Sequence, residues 1–171
     1  MFNLLMQGGP WSGSRDTVSL GRMFEYTDVE IAASFRNGGR PRLDELIRLP
    51  CLFMEEGLGD QIAHVGTIIR ARIVGQEVAI EYAYDTEAPR LLNHIIHANR
   101  RDFDMTQDFE FSRTHWAVKD VDLYRTLLRN FQPRRQRPTV FQIPEHESID
   151  PELASAMMPF DAGFSDVYAA I

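Results

Sequence analysis

Apolar and polar positions along the chain fall into segments of different period. Residues 2–7 form an almost unbroken apolar run, which predicts a strand; the run lacks a basic start and stops at Gly8-Gly9-Pro10, so it is not a signal peptide. Trp11-Ser12-Gly13-Ser14 predicts a loop, and residues 18–26 a second short strand ending in Phe24-Glu25-Tyr26. Thr27 and Glu30 have capping-box spacing. Val29, Ala32 and Phe35 share one face of the helix this box would open, and Gly38-Gly39 would close it. Leu43, Leu46 and Ile47 predict a second helix from near Pro41, stopped by Pro50. Cys51 to Met54 reads as a short buried strand.

A hairpin follows. Val65, Ile69 and Ile73 alternate along residues 64–74, and Val78, Ile80, Tyr82 and Tyr84 along 77–85, with Gly75-Gln76 as the tight connection. Arg70, Arg72 and Glu81 occupy the other face, which should be wet. Leu91, Leu92, Ile95 and Ile96 predict a helix near 90–100, and residues 109–112 a strand or a turn. A further helix is expected over 119–130. Val121, Tyr124, Leu127 and Leu128 would face its core, and Asp120 and Asp122 would sit at its positive end. The expected fold is α+β: a small mixed or antiparallel sheet with a central hairpin and about four helices.

Composition divides the chain. Gln132 to Pro138 is basic and bracketed by prolines, and Pro144 to Pro151 is acidic and loop-like. The expected organisation is an α+β domain over 1–131, a linker over 132–152, within which Val140 to Ile143 could dock as an extended segment, and a second domain that begins at 153. The 171 residues are 44% hydrophobic and 25% charged, a globular balance, and no apolar run is long enough to span a membrane. The single cysteine, Cys51, cannot form an intramolecular disulfide, which points to a reducing, cytoplasmic setting. A lone cysteine in an apolar run is ordinarily a small buried hydrophobe. The net charge of -7 disfavours non-specific nucleic-acid binding.

One cluster stands out for its chemistry. Arg113, His115, Trp116, Lys119 and Asp120 crowd ahead of a predicted helix. Arginine and lysine can pair with phosphate, tryptophan can stack on a base, and free helix-start amides favour an anion. The alternative is structural: Trp116 in the core, Arg113 paired with an acidic neighbour, Lys119 and Asp120 solvated. His94 and His97, three apart, are read as solvent-facing rather than as metal ligands, since no further ligand lies at a useful spacing. The loop from Gly8 to Ser14 lacks the spacing of a phosphate loop. Glu55, Glu56 and Asp60 are carboxylates without a sign of burial, and Arg134, Arg135 and Arg137 read as a solvated linker.

The tail, with Met157-Met158-Pro159-Phe160, Phe164, Val167-Tyr168 and Ile171, resembles the start of bacterial TIR-like domains, relatives of the nucleoside 2-deoxyribosyltransferases. The likeness covers about residues 153–171. It implies the first strand and helix start of an α/β domain, N-glycosidic bond chemistry on a nucleotide or nicotinamide dinucleotide, and anti-phage defence. Met158, Pro159 and Phe160 would belong to the nucleotide-binding loop. The family's catalytic carboxylate lies further along than Ile171, so no catalytic residue, cofactor or metal is assigned in this stretch. Phe24 to Thr27, Leu49 to Met54 and Arg113 to Leu123 resemble an uncharacterised bacterial domain found upstream of such TIR-like domains, one that carries no known ligand or reaction.

The expected function is a regulatory or recognition domain of a bacterial TIR-like effector. Its candidate partners are its own downstream TIR-like domain, a small nucleotide ligand or a second copy of itself. The alternative is part of a nucleotide- or NAD-processing N-glycosidase in which the first domain contributes substrate contacts.

Overall fold

The computed structural model describes residues 1–131. At its centre lies β1 (Phe2–Gln7), whose Phe2, Leu4, Leu5 and Met6 are fully buried. A strand with apolar residues in succession, rather than in alternation, must be covered on both faces. β1 pairs in parallel with β5 (Pro50–Glu55) and antiparallel with β9 (His115–Lys119). A parallel pair needs a long crossover, and residues 8–49 supply it. They contain β2 (Arg15–Ser19), α1 (Val29–Ser34), the short strands β3 (Arg36–Asn37) and β4 (Arg40–Pro41), and α2 (Leu43–Leu46).

The long hairpin of β6 (Ile62–Val74) and β7 (Glu77–Tyr84) continues the sheet from β5, and β2 closes its far edge to give the order β2-β7-β6-β5-β1-β9. A short strand, β8 (Leu91–Leu92), pairs with the start of β6 and leads into α3 (Asn93–Ala98). The last described helix is α4 (Leu123–Phe131). The sheet is therefore mixed, and the four helices among the described residues complete an α+β fold, as expected.

Two cores sandwich the central strands. On one face Leu4, Met6, Leu52, Met54 and Ala117 pack with residues from α3, α4 and the turns between them, including Phe103, Phe111 and Leu127. On the other, Leu5, Cys51, Phe53, Trp116 and Val118 pack with Phe35, Leu46 and the inner residues of the hairpin. Cys51 is fully buried, and burial pushes its thiol up to about 12. Asn3 ties the second core together: its Oδ1 accepts from Trp116 Nε1 at 2.9 Å and its Nδ2 donates to Leu46 O at 2.8 Å.

Several local expectations change. The cap of α1 is Asp28, whose Oδ1 accepts from the amides of Glu30 and Ile31. Thr27 instead turns its hydroxyl to the Val118 amide at 2.8 Å. Gly38 and Gly39 do not end α1 but form the turn between β3 and β4, where their φ of 56° and 82° favours glycine. Residues 20–26 are not a strand. They run through a 3-10 turn (Leu20–Arg22) and then place Phe24 and Tyr26 at φ 68° and 57°. The segment 109–112 falls in a 3-10 turn (Asp108–Ser112), and the start of the helix expected over 119–130 is instead the end of β9.

The hairpin has the expected turn but not the expected phase. A bulge between Ile68 and Arg70 shifts the register, so Ile68 is buried while Ile69 is 64% exposed. Near this shift β6 and β7 approach closely at Gly66, where an added Cβ would lie 2.2 Å from Ala83 O. We predict that Gly66→Ala costs about 1–3 kcal/mol in urea unfolding. Unchanged stability would show that the strands do not meet so closely there.

Candidate functional site

The segment from Arg113 to Asp120 is mostly strand rather than a helix entry, and strand alternation divides its side chains. Trp116 and Val118 point into one core. His115, Ala117 and Lys119 lie on the opposite face, in register with Met6, Leu4 and Phe2 of β1. The five candidate ligand residues therefore do not converge on one surface.

The side chains of four of the five have internal partners. Arg113 Nε and Nη2 donate to the Glu25 carboxylate at 2.6 and 3.0 Å, a forked pair that lowers the Glu25 pKa and raises that of Arg113. Trp116 is fully buried against Asn3. Lys119 Nζ lies 2.6 Å from Glu110 Oε2, with both side chains almost wholly buried, and donates to Tyr26 O at 2.9 Å. His115 Nδ1 lies 2.6 Å from Arg113 O, its ring meets Tyr26 edge to face at 4.9 Å, and its Nε2 is buried without a partner among the described residues. Burial, with Lys119 nearby, depresses His115 to about 4. Asp120 is exposed, and its amide donates to Asp104 Oδ2 at 3.2 Å.

Residues 23–27 make this arrangement possible by clasping the outer edge of β9. The Phe24 amide donates to Trp116 O at 2.6 Å, Met23 bridges to Trp116, and Thr27 and Tyr26 receive Val118 and Lys119. The two left-handed aromatic residues let the chain turn sharply enough to do so, at a cost of about 1–2 kcal/mol each. The amides at the start of α4 are also engaged, since Asp122 Oδ1 accepts from the Arg125 amide at 3.1 Å.

The other candidates disperse. His94 Nδ1 lies 3.3 Å from Asp60, whereas His97 Nε2 lies 3.3 Å from Asp108, so the two rings lean on different carboxylates. Glu56 accepts from the Thr114 hydroxyl at 2.5 Å. The loop from Gly8 to Ser14 is pinned by Trp11 Nε1 donating to Met54 O at 2.9 Å and by the Gly13 amide donating to Tyr82 Oη at 2.8 Å. Met158, Pro159, Phe160 and the linker arginines lie outside the described residues.

Two features emerge only in three dimensions. Trp11, Phe53, Tyr82, Tyr84 and His64 form a chain of ring contacts with centroids 4.3 to 5.7 Å apart, which fastens the N-terminal loop to the sheet. The second is the face of β2, β7 and β6 turned away from the buried Val78, Ile80 and Tyr82. Here Arg15, Glu81 and Arg70 stand in one cross-strand row, and Thr17, Ala79 and Arg72 in the next. These residues line a depression of about 220 Å³. The hairpin's periodicity places Arg70, Arg72 and Glu81 on a wet face. It could not foretell that β2, far off in sequence, would add Arg15.

Two predictions follow from the buried groups. Lys119→Met leaves Glu110 buried and unpaired, and should cost about 3–5 kcal/mol in chemical unfolding, much of it recovered in K119M/E110L. A loss within error of zero would mean that the pair is not buried. Unfolded histidine titrates near 6.5, whereas folded His115 does so at about 4. Between these values the unfolded state binds more protons, so stability falls as pH drops through the window, by up to about 3 kcal/mol. Most of that slope should vanish in His115→Gln, with a smaller part of the same sign left from His64, whose pKa is also lowered by burial. A slope unchanged in the variant would assign it elsewhere.

No protein-family model, curated protein or solved structure matches this chain, so the chemistry of its own residues carries the functional reading.

Proposed function

We propose that residues 1–131 form a recognition module that binds a ligand or partner and so regulates the segment that follows, in the manner of the regulatory half of a TIR-like effector. One observation carries this reading. Side chains suited to chemistry, among them Arg113, His115 and Lys119, are committed to internal partners, whereas the face of β2, β7 and β6 leaves Arg15, Arg70 and Arg72 exposed on a rigid hydrogen-bonded platform. Internal pairing favours a scaffold, and an exposed charged face favours binding.

Two further points support the reading. No helix among the described residues is long and apolar enough to cross a membrane, consistent with a module that acts in the cytoplasm. The likeness of Met158, Pro159, Phe160 and their neighbours to the opening of a TIR-like domain supplies the regulated partner, and only through that likeness does anti-phage defence enter.

The test is turnover. The full chain incubated with NAD⁺ should release no nicotinamide above the buffer rate by chromatography. Sustained release at an enzymatic rate, about 1 per second or more, would replace the recognition reading with the N-glycosidase one.

A further inference from the structure

We infer that the depression on β2, β7 and β6 is an anion site for a phosphate-bearing small ligand; this rests on the recognition reading above and supplies its ligand class. Hydrogen-bonded strands lie about 4.8 Å apart, so Arg15 and Arg70 flank Glu81 at neighbouring positions in one row. Arg72 lies two residues beyond Arg70 on the same strand and face, about 7 Å away. Between Thr17 and Arg72 the floor is Ala79, and its small methyl leaves the space that the arginines border.

The charges there do not cancel. Arg15 pairs with Glu81 at 3.4 Å, an exposed contact of the kind that solvent screens and a ligand can displace. Among the described residues Arg70 and Arg72 make no ion pair. Of the charged residues that line the depression, Arg15, Arg70 and Arg72 outnumber Asp16 and Glu81 by one, on a chain whose net charge is -7; Asp16 is held by the Ser12 and Tyr82 hydroxyls, and Glu77 stands one row beyond. Guanidinium forks match phosphate oxygens in paired hydrogen bonds, and the Thr17 hydroxyl adds a donor beside them.

Size and charge choose among anions. An extended nucleic acid would meet the acidic remainder of the surface after a few contacts, whereas a compact ligand needs only Arg70, Arg72 and the Arg15 it draws away from Glu81. A depression of about 220 Å³ has room for a phosphate group and its immediate attachment. An acidic peptide spreads single charges along a backbone. A phosphate concentrates its charge and three acceptor oxygens at one point, which is what closely set arginines can use. Ile69, thrown outward by the bulge next to Arg70, adds apolar surface for the rest of such a ligand.

The experiment is calorimetric titration of the full chain at low salt with inorganic pyrophosphate and with ADP, each repeated on R70Q/R72Q and on Arg125→Gln. Circular dichroism would check that these exposed variants fold. Binding with Kd below about 1 mM is expected for both probes, weakened at least about tenfold in R70Q/R72Q and unchanged in Arg125→Gln. No heat from either probe at about 10 mM, or equal binding by R70Q/R72Q, overturns the site. So does tighter binding of a short single-stranded oligonucleotide or a polyglutamate peptide than of ADP. If the probes fail while NAD⁺ stays intact, the ligand class falls and the recognition reading stands. If NAD⁺ is cleaved, the recognition reading itself falls.

Discussion

The contact between Lys119 and Glu110 sets the terms for one side of the molecule. A lysine ammonium can sit in an apolar core only with a carboxylate and a carbonyl against it, and Glu110 and Tyr26 O provide these. Glu110 reaches the site because residues 108–112 coil into a 3-10 turn. Tyr26 reaches it because its own backbone and that of Phe24 are left-handed. With Lys119 so held, β9 stays against β1, its outer edge is closed by residues 23–27, and both faces of the central strands remain dry.

That arrangement explains why the polar cluster of β9 is a poor ligand site and a good fastening. Alternation sends Trp116 to the core tied by Asn3, and sends His115 and Lys119 to the core above. Polar groups in such positions must find partners inside the protein, and they do so across long stretches of sequence. The reverse holds on β2, β7 and β6. No helix among the described residues covers their outer face, and the sequence places arginines where a covered strand would carry valine or isoleucine. The molecule thus keeps one group of basic residues for cohesion and exposes another.

Much of the architecture was legible because it is written locally. The run in β1, the buried strand at Cys51 to Met54 and the Gly75-Gln76 turn are each signalled within about ten residues, as is the existence of α4, although its buried face is Leu123, Thr126 and Leu127 and it leaves the expected Tyr124 and Leu128 exposed. What escaped depends on distant partners. Arg113 to Asp120 looks like a helix approach because its polar residues mask a strand, and only the burial of Lys119 and His115 beside β1 reveals it. Asp28 took the cap from Thr27 because Thr27 was needed by Val118 across a gap of 91 residues. The bulge after Ile68 interrupts an alternation that has no local marker. The candidate site was half legible: two of its arginines follow from the hairpin, but the third comes from an edge strand whose neighbour no local pattern names.

The pairing of β1 with β9 also bears on how the protein is made. Asn3 and Trp116 are bonded across 113 residues, so β1 leaves the ribosome well before β9. During synthesis an apolar strand therefore waits with one edge bare until residue 119 has emerged. Closing so long a loop is slow, and at about 5–20 residues per second the wait lasts roughly 6 to 22 seconds. Throughout that interval the bare edge of β1 is a template on which another chain can pair.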